Sequence, residues 1–343
     1  MAFLPTAEQR AFARSLDALL SASDTPTTAR AWAGDDSGPG RALWERLAEA
    51  GVFALAVPEA HGGVGLLPVE LAHAFVELGR HAVPGPVVET VAAAVLLADL
   101  ARLEDSTPAK RFLPALASGA STATLASVPG PGRGRAASPY ALDADRADLV
   151  FAVRGEGLWL AGGHGPVRVS ADPARRLARP APGGELLASG SSVVAAAGRA
   201  RRWAMLATAA QSLGVGRALL DRTVAYAKQR TQFGTPIGAF QAVKHRLADT
   251  LLGLEFARPL LYGAAVGLAD GNSADDTDGD LAAAKVAAGE AGYAAARTAL
   301  QVHGAVGYTE ELDLALWLRK ARPLRDAWGD PARCRAQVLA SYA

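Results

Sequence analysis

Three stretches of this sequence bring together side chains that could do chemistry. The first is Arg230-Thr-Gln-Phe-Gly-Thr-Pro-Ile-Gly-Ala-Phe-Gln-Ala-Val-Lys-His-Arg-Leu-Ala-Asp249. A planar guanidinium such as that of Arg230 donates two parallel charge-assisted hydrogen bonds, which suits a diphosphate. The plainer reading makes Arg230 a helix C-terminal cap and Phe233 a core residue. The second is Gln301-Val-His-Gly-Ala-Val-Gly-Tyr-Thr-Glu310. Its Gly304 and Gly307 would let backbone approach a dinucleotide closely, and Gly304 serves equally as a helix C-cap. The third, Arg319-Lys-Ala-Arg-Pro-Leu-Arg-Asp-Ala-Trp-Gly-Asp330, sets Asp326 and Asp330 on either side of Trp328. An indole accepts no proton. Asp330 is the candidate base of that stretch, although Asp330-Pro331 reads first as an N-cap with proline at the opening helical position.

Other chemistries find little support. The single cysteine, Cys334, excludes an intramolecular disulfide framework and a cysteine-based zinc site. His61, His73, His81, His164, His245 and His303 show no metal-ligand spacing, so no metal is expected. A net charge of +1 gives no bulk attraction to nucleic acid.

The elements that must position these residues follow from composition and periodicity. The 343 residues amount to about two domains at roughly 150 residues each. Alanine, at 78 residues, favours helix. Residues 1–118 read as a helical N-terminal domain, with amphipathic segments at residues 6–20, Gly40–Ala50, Pro68–Gly79 and Val87–Leu103. Gly51–Pro58 reads as buried extended chain, and His61-Gly-Gly-Val-Gly-Leu as a flexible loop. Residues 119–196, rich in Gly, Pro and Ser, read as a small β middle domain. Residues 197–343 read as a four-helix domain, with helices at Trp203–Arg230, Phe240–Ala269, Leu281–Gly304 and from Glu310. Asp270-Gly271-Asn272 is a turn, and the acidic run from Asp275 to Asp280 sits before the third helix as capping charge. The fold class expected is mostly α with a small β middle domain. The N-terminus lacks a charged region followed by an apolar stretch. The longest strongly apolar stretch, Val91–Leu97, is far short of the ~20 residues that cross a bilayer. A cytoplasmic protein without membrane insertion is the expectation.

The chain resembles the acyl-CoA dehydrogenase family. The resemblance rests on the first two stretches above, on Leu318-Arg-Lys-Ala-Arg322, and on Leu43-Trp-Glu-Arg-Leu-Ala-Glu-Ala-Gly51 with Val57-Pro-Glu59, Gly62-Gly-Val-Gly65 and Glu77-Leu-Gly-Arg80. It implies a helical, a β and a four-helix domain in that order, an FAD cofactor, an acyl-CoA thioester substrate and an oligomer. It assigns Arg230 to the FAD pyrophosphate of a neighbouring subunit. Gln232, Phe233, Ile237 and Gln241 fall to the adenosine end, and Gln301, Gly304 and Gly307 to a second nucleotide contact. Where the family has a Gly-Gly pair, this chain has Gly304-Ala305.

The departures matter as much. α,β-Desaturation needs a carboxylate against Cα. The family's usual glutamate aligns with Trp328, and its alternative position with Ala204. The family's ring-side flavin motifs are missing, Ser127-Val-Pro-Gly-Pro being at most a remnant of one. The chain therefore resembles the subunit without catalytic glutamate in heteromeric actinobacterial acyl-CoA dehydrogenases, whose partner would be a glutamate-bearing paralogue. The alternatives are a self-sufficient FAD enzyme with a displaced carboxylate, assembled with copies of itself, or a flavin-free structural or biosynthetic homologue.

Overall fold

A computed structural model describes residues 4–126, 139–270 and 274–342. The Ser127-Val-Pro-Gly-Pro stretch and the Gly271-Asn272 part of the expected turn lie outside the described residues. Six helices open the chain: α1 (Ala7–Ser21), α2 (Thr25–Ala33), α3 (Gly38–Glu49), α4 (Pro68–Arg80), α5 (Val87–Leu103) and α6 (Thr107–Ala117). Between α3 and α4 a hairpin pairs β1 (Ala56–Val57) with β2 (Gly65–Leu66). Residues 52–57 are buried as expected, but only Ala56 and Val57 are extended, and the loop from Pro58 to Val64 that they close carries a 3-10 turn at Glu59–His61. Helix α1 starts with a capping box: Thr6 accepts from the Gln9 N–H at 3.1 Å while the Thr6 N–H donates back to Gln9 at 2.9 Å. Helix α5 is buried at every position from Val87 to Leu100, which explains why it is apolar all round.

The middle segment holds β3 (Ala123–Ala126), β4 (Ala141–Leu142), β5 (Leu149–Arg154), β6 (Gly157–Leu160), β7 (Arg168–Val169), β8 (Arg176–Ala178) and β9 (Glu185–Ser189). They form a four-stranded sheet in the order β3-β5-β6-β9 and a three-stranded sheet in the order β4-β8-β7. Among the described strands only β3 and β5 run parallel. Helix α7 (Ser191–Gln229) begins twelve residues earlier than its periodicity suggested. Residues 191–196, placed with the strands by composition, are its first turns. The β-branched Val193 and Val194 resemble a strand locally, yet Val193, Ala196, Ala197 and Ala200 are buried at helical spacing.

After α7 come a hairpin of β10 (Thr231–Gln232) and β11 (Thr235–Pro236), then α8 (Gln241–Asp270), α9 (Ala274–His303), α10 (Leu314–Asp326) and α11 (Pro331–Ala340). The acidic run expected before the third helix lies inside the opening turns of α9. The fourth expected helix, α10, starts at Leu314 rather than Glu310, after a 3-10 turn at Gly304–Tyr308.

Packing divides the chain into two compact units, each described by itself. One comprises Met1–Pro26, Ala72–Val83 and Leu206–Ala343; the other comprises Thr27–Leu71 and Pro84–Met205. In the first, small residues bring helix backbones into contact. A Cβ on Gly214 of α7 would lie 1.9 Å from the Val76 carbonyl oxygen of α4. One on Gly292 of α9 would lie 2.6 Å from the Ser212 carbonyl oxygen of α7. Larger side chains at these crossings would force the helices apart. Val215, Leu219, Leu314, Trp317, Ala321 and Leu324 form a core beside these crossings. Lys285 of α9, almost wholly buried, donates to the Leu324 and Arg325 carbonyls at 3.0 and 2.8 Å. It thereby satisfies carbonyls at the C-terminal end of α10.

Helix α8 is long and apolar enough to cross a membrane by length and composition alone, with a mean hydropathy of 1.3 in its most apolar window. A count of contiguous apolar residues passes over it. Leu254, Ala257, Leu261, Ala264, Ala265 and Leu268 of α8 are buried, as befits a core helix of the bundle.

Candidate functional site

Arg230 directly follows α7, its N–H donating to the Tyr226 carbonyl at 2.9 Å in the last helical bond. The chain then turns through Phe233 (φ +52°) and Gly234 (φ +75°) between the paired strands β10 and β11. Two successive positive φ angles define the hairpin turn whose twist matches its strands. A bond of 2.8 Å from the Ile237 N–H to the Arg230 carbonyl closes the loop. Glycine meets this backbone requirement freely; phenylalanine meets it at a cost of about 1–2 kcal/mol.

The side chains of this loop face solvent. Phe233 is 94% exposed, touching only the edge of Phe240 at 6.4 Å between centroids. Its alternative reading as a core residue therefore fails. Arg230, Gln232 and Gln241 are exposed and Ile237 is half-buried. Among the described residues Arg230 forms no ion pair. The Gln232 amide donates only to the Thr231 carbonyl beside it, at 2.9 Å.

The second set lies where α9 ends. Gln301 and Gly304 line an open hollow of about 410 Å³ together with Arg297, Leu300, Ala305 and Tyr308. Gly304 has φ +63°, and a Cβ added there would meet nothing within 4 Å, so its backbone is bare toward solvent. Gly307 is buried and packs the 3-10 turn back onto His303 and Leu300. His303 donates from Nδ1 to the Ala299 carbonyl at 2.8 Å and stacks on Tyr226 at 4.1 Å between centroids. Burial pushes the His303 pKa down, keeping the ring neutral. That stack ties the end of α9 to the end of α7, four residues before Arg230. Arg297 falls outside the quoted stretches, and Tyr308 lies within the second of them without a role assigned to it.

Neither position that the resemblance offers for a base, Ala204 or Trp328, carries a carboxylate. Ala204 is fully buried. Trp328 links α10 to α11 in left-handed backbone, φ +57°. Asp330 is the N-cap of α11, one carboxylate oxygen accepting from the Ala332 and Arg333 N–H groups at 3.1 Å each. Asp326 lies 3.6 Å from Arg322. Two other carboxyls are pushed upward by burial: Glu77, and Asp143, raised to about 7. Asp143 is fully buried in the strand-bearing unit.

Asp17, Glu77 and His81 cluster closely enough to offer ligands to one ion. Arg80 is already among them, 3.1 Å from Glu77 and 3.6 Å from Asp17, while His81 lies 2.8 Å from Asp17. Its guanidinium supplies the positive charge, which makes the cluster an ion-pair network.

The exposed guanidinium, the exposed aromatic and the bare Gly304 backbone fit the adenosine diphosphate end of a dinucleotide. Comparison with known proteins agrees with this architecture. The model of the acyl-CoA dehydrogenase N-terminal domain matches residues 6–120, and that of the C-terminal domain matches 195–341. The chain is 33% identical over 320 residues to acyl-CoA dehydrogenase IpdE2 of Mycobacterium tuberculosis (strain ATCC 25618 / H37Rv), covering 92% of each protein. Its fold matches a variant of the Tcur3481-Tcur3483 steroid ACAD with a TM-score of 0.83 at 25% identity, over 98% of this chain and 97% of that one. It also matches the ChsE4-ChsE5 complex from Mycobacterium tuberculosis with a TM-score of 0.82 at 25% identity, over 100% and 99% of the two chains. The chain belongs to the acyl-CoA dehydrogenase family.

Proposed function

We propose that this chain is a subunit of a hetero-oligomeric acyl-CoA dehydrogenase. It holds the nucleotide end of an FAD shared with a glutamate-bearing paralogue. The reaction is α,β-desaturation of an acyl-CoA thioester. Bound FAD supplies the acceptor for the hydride leaving Cβ, and the partner's glutamate takes the proton from Cα. In this chain Arg230 pairs with the pyrophosphate, Phe233 and Ile237 form an apolar slot for adenine, and Gln232, Gln241 and Gln301 offer polar edges. Gly304 keeps side-chain bulk out of that contact.

The observation that carries this reading is Phe233. An aromatic ring held in strained backbone and left in water within its own chain is suited to a surface supplied by another chain. A face of α8 agrees. Leu252, Phe256 and Leu260 lie one turn apart and are all exposed, Phe256 by 73%. Such a stripe suits a subunit interface. The related solved structures Tcur3481-Tcur3483 and ChsE4-ChsE5 are each named as a pair of proteins. A displaced base in this chain gains nothing from Asp330, whose carboxylate caps α11.

The test is the flavin-to-protein ratio by absorbance, for the chain purified alone and after co-expression with a glutamate-bearing paralogue. The expected result is no flavin alone and FAD in the pair. One FAD per chain in the protein purified alone would overturn the proposal.

A further inference from the structure

The three-stranded sheet of β4, β8 and β7 gathers two arginines around one ring. Tyr140 directly precedes β4, Arg168 opens β7 and Arg179 directly follows β8. Ala141 pairs with Ala178 and Leu142 with Leu177, so the next step of that register sets Tyr140 opposite Arg179. Arg168 pairs with Leu177, two residues from Arg179. Side chains directly opposite or two apart share a face, so all three stand on the same side of the sheet. The Arg179 guanidinium lies 5.2 Å from the centre of the Tyr140 ring, and that of Arg168 lies 5.7 Å from it. Both arginines are exposed and Tyr140 is half-buried.

Among the described residues neither arginine forms an ion pair. The acids beside these strands are occupied. Asp143 is fully buried, Asp145 pairs with Arg176 at 2.7 Å, and the buried Asp172 accepts from the Ala174 N–H at 3.0 Å. A second tyrosine flanked by two arginines shows the contrast. Arg322 and Arg325 lie 5.8 and 5.3 Å from the Tyr293 ring, but Arg322 has Asp326 at 3.6 Å.

Two like charges held at one ring repel each other, and an anion shared between them relieves that repulsion. A guanidinium held against a ring keeps its in-plane N–H donors free for a bidentate partner. We propose that Arg168 and Arg179, seated on Tyr140, form a binding site for a phosphate dianion, either free or carried as a monoester. Charge-assisted hydrogen bonds from two guanidiniums favour a doubly charged oxyanion with several acceptors over a single carboxylate. Tyr140 positions the cations and leaves the ligand to them. All three residues belong to the strand-bearing unit, whereas Arg230 and Gly304 belong to the other, so the site does not rest on the shared-FAD reading.

The experiment titrates inorganic phosphate, phenyl phosphate and acetate into the full-length chain by calorimetry at constant ionic strength. The proteins are wild type, Arg168→Ala, Arg168→Lys, Arg179→Ala, the double alanine variant and Arg230→Ala. Wild type is expected to bind both phosphates well ahead of acetate, and the tighter of the two tells whether the ligand is the free ion or a monoester. Each single alanine variant is expected to weaken phosphate about tenfold, the double variant to abolish binding at this site, and Arg168→Lys to recover part of the loss. Arg230→Ala is expected to keep this site intact. Both side chains are exposed, so thermal melting should stay close to wild type and exclude misfolding as the cause. Phosphate binding unchanged in the double variant, absent from wild type, or matched by acetate overturns the inference. Loss of phosphate in Arg230→Ala alone would assign the anion to Arg230, so that this inference falls and the shared-FAD reading gains. A co-expressed pair without flavin, with phosphate still held through Arg168 and Arg179, would do the reverse.

Discussion

Tyr226 and His303 stack 4.1 Å apart, and the pair joins the two halves of the proposed nucleotide end. Tyr226 lies four residues before Arg230, and His303 directly precedes Gly304. The stack therefore sets the register between a hairpin and a hollow that are 70 residues apart in sequence. Burial keeps His303 neutral, so the contact is an aromatic pair without ion–π character.

Replacing Arg230 with alanine tests the diphosphate assignment directly. The side chain is exposed and free of ion pairs, so stability should change by less than about 0.5 kcal/mol. The flavin-to-protein ratio of the co-expressed assembly should fall severalfold on gel filtration. Unchanged flavin content would remove Arg230 from the site.

Phe233→Gly should separate stability from binding. Relief of left-handed strain contributes about 1 kcal/mol or more, and added freedom in the unfolded chain takes back about 0.4–1 kcal/mol. The urea midpoint should stay close to wild type or rise, while flavin retention in the pair drops. A clear loss of stability would mean that the ring packs in the free chain after all.

Lys285→Met keeps most of the stem but removes the donors that satisfy the Leu324 and Arg325 carbonyls. Leaving such buried acceptors unmet costs about 1–3 kcal/mol. Urea unfolding should show that loss, and hydrogen exchange should accelerate first at the end of α10.

Asp143 gives a pH dependence with a definite sign. Burial is the main cause of its rise to about 7, the nearby Glu89 raises it further, and the Arg176 N–H and Arg175 oppose the rise. An aspartate in the unfolded chain titrates near 3.9, so between about pH 4 and pH 7 the folded state holds the extra proton. Stability should fall as pH rises through that window and level off above it. The total is on the order of a few kcal/mol. Asp143→Asn should flatten the profile between pH 4 and 7 in urea titrations at several pH values. A wild-type profile already flat there would place the Asp143 pKa near its ordinary value.

Much of the fold was legible in the sequence, for reasons that differ by element. Val87–Leu103 was read to the residue because its apolar run is bounded by Pro84-Gly-Pro86 and by Glu104. Helix α6 is hard to read because Pro114 sits inside it, while Pro108 occupies its opening turn, where proline is tolerated. The start of α11 was legible, since Asp330 caps it and Pro331 follows at its first position as read. The start of α7 was hidden by β-branched valines whose burial only tertiary packing reveals. At the site, the motif pointed to Arg230, Phe233 and Gln301 together, although hydropathy alone counts a phenylalanine as core material. Arg297 and Tyr308 come together only because the 3-10 turn folds back over α9. Asp143 stands in an irregular stretch with no periodicity to announce its burial.

The stripe of Leu252, Phe256 and Leu260 on α8 bears on supply as well as assembly. Copies made in excess of whatever covers that face would leave it wet, and wet apolar stripes drive self-association and attract quality-control proteases. The abundance of this protein should therefore track its counterpart, with overproduction alone yielding insoluble material. Selection would then favour making the two chains together and in equal number.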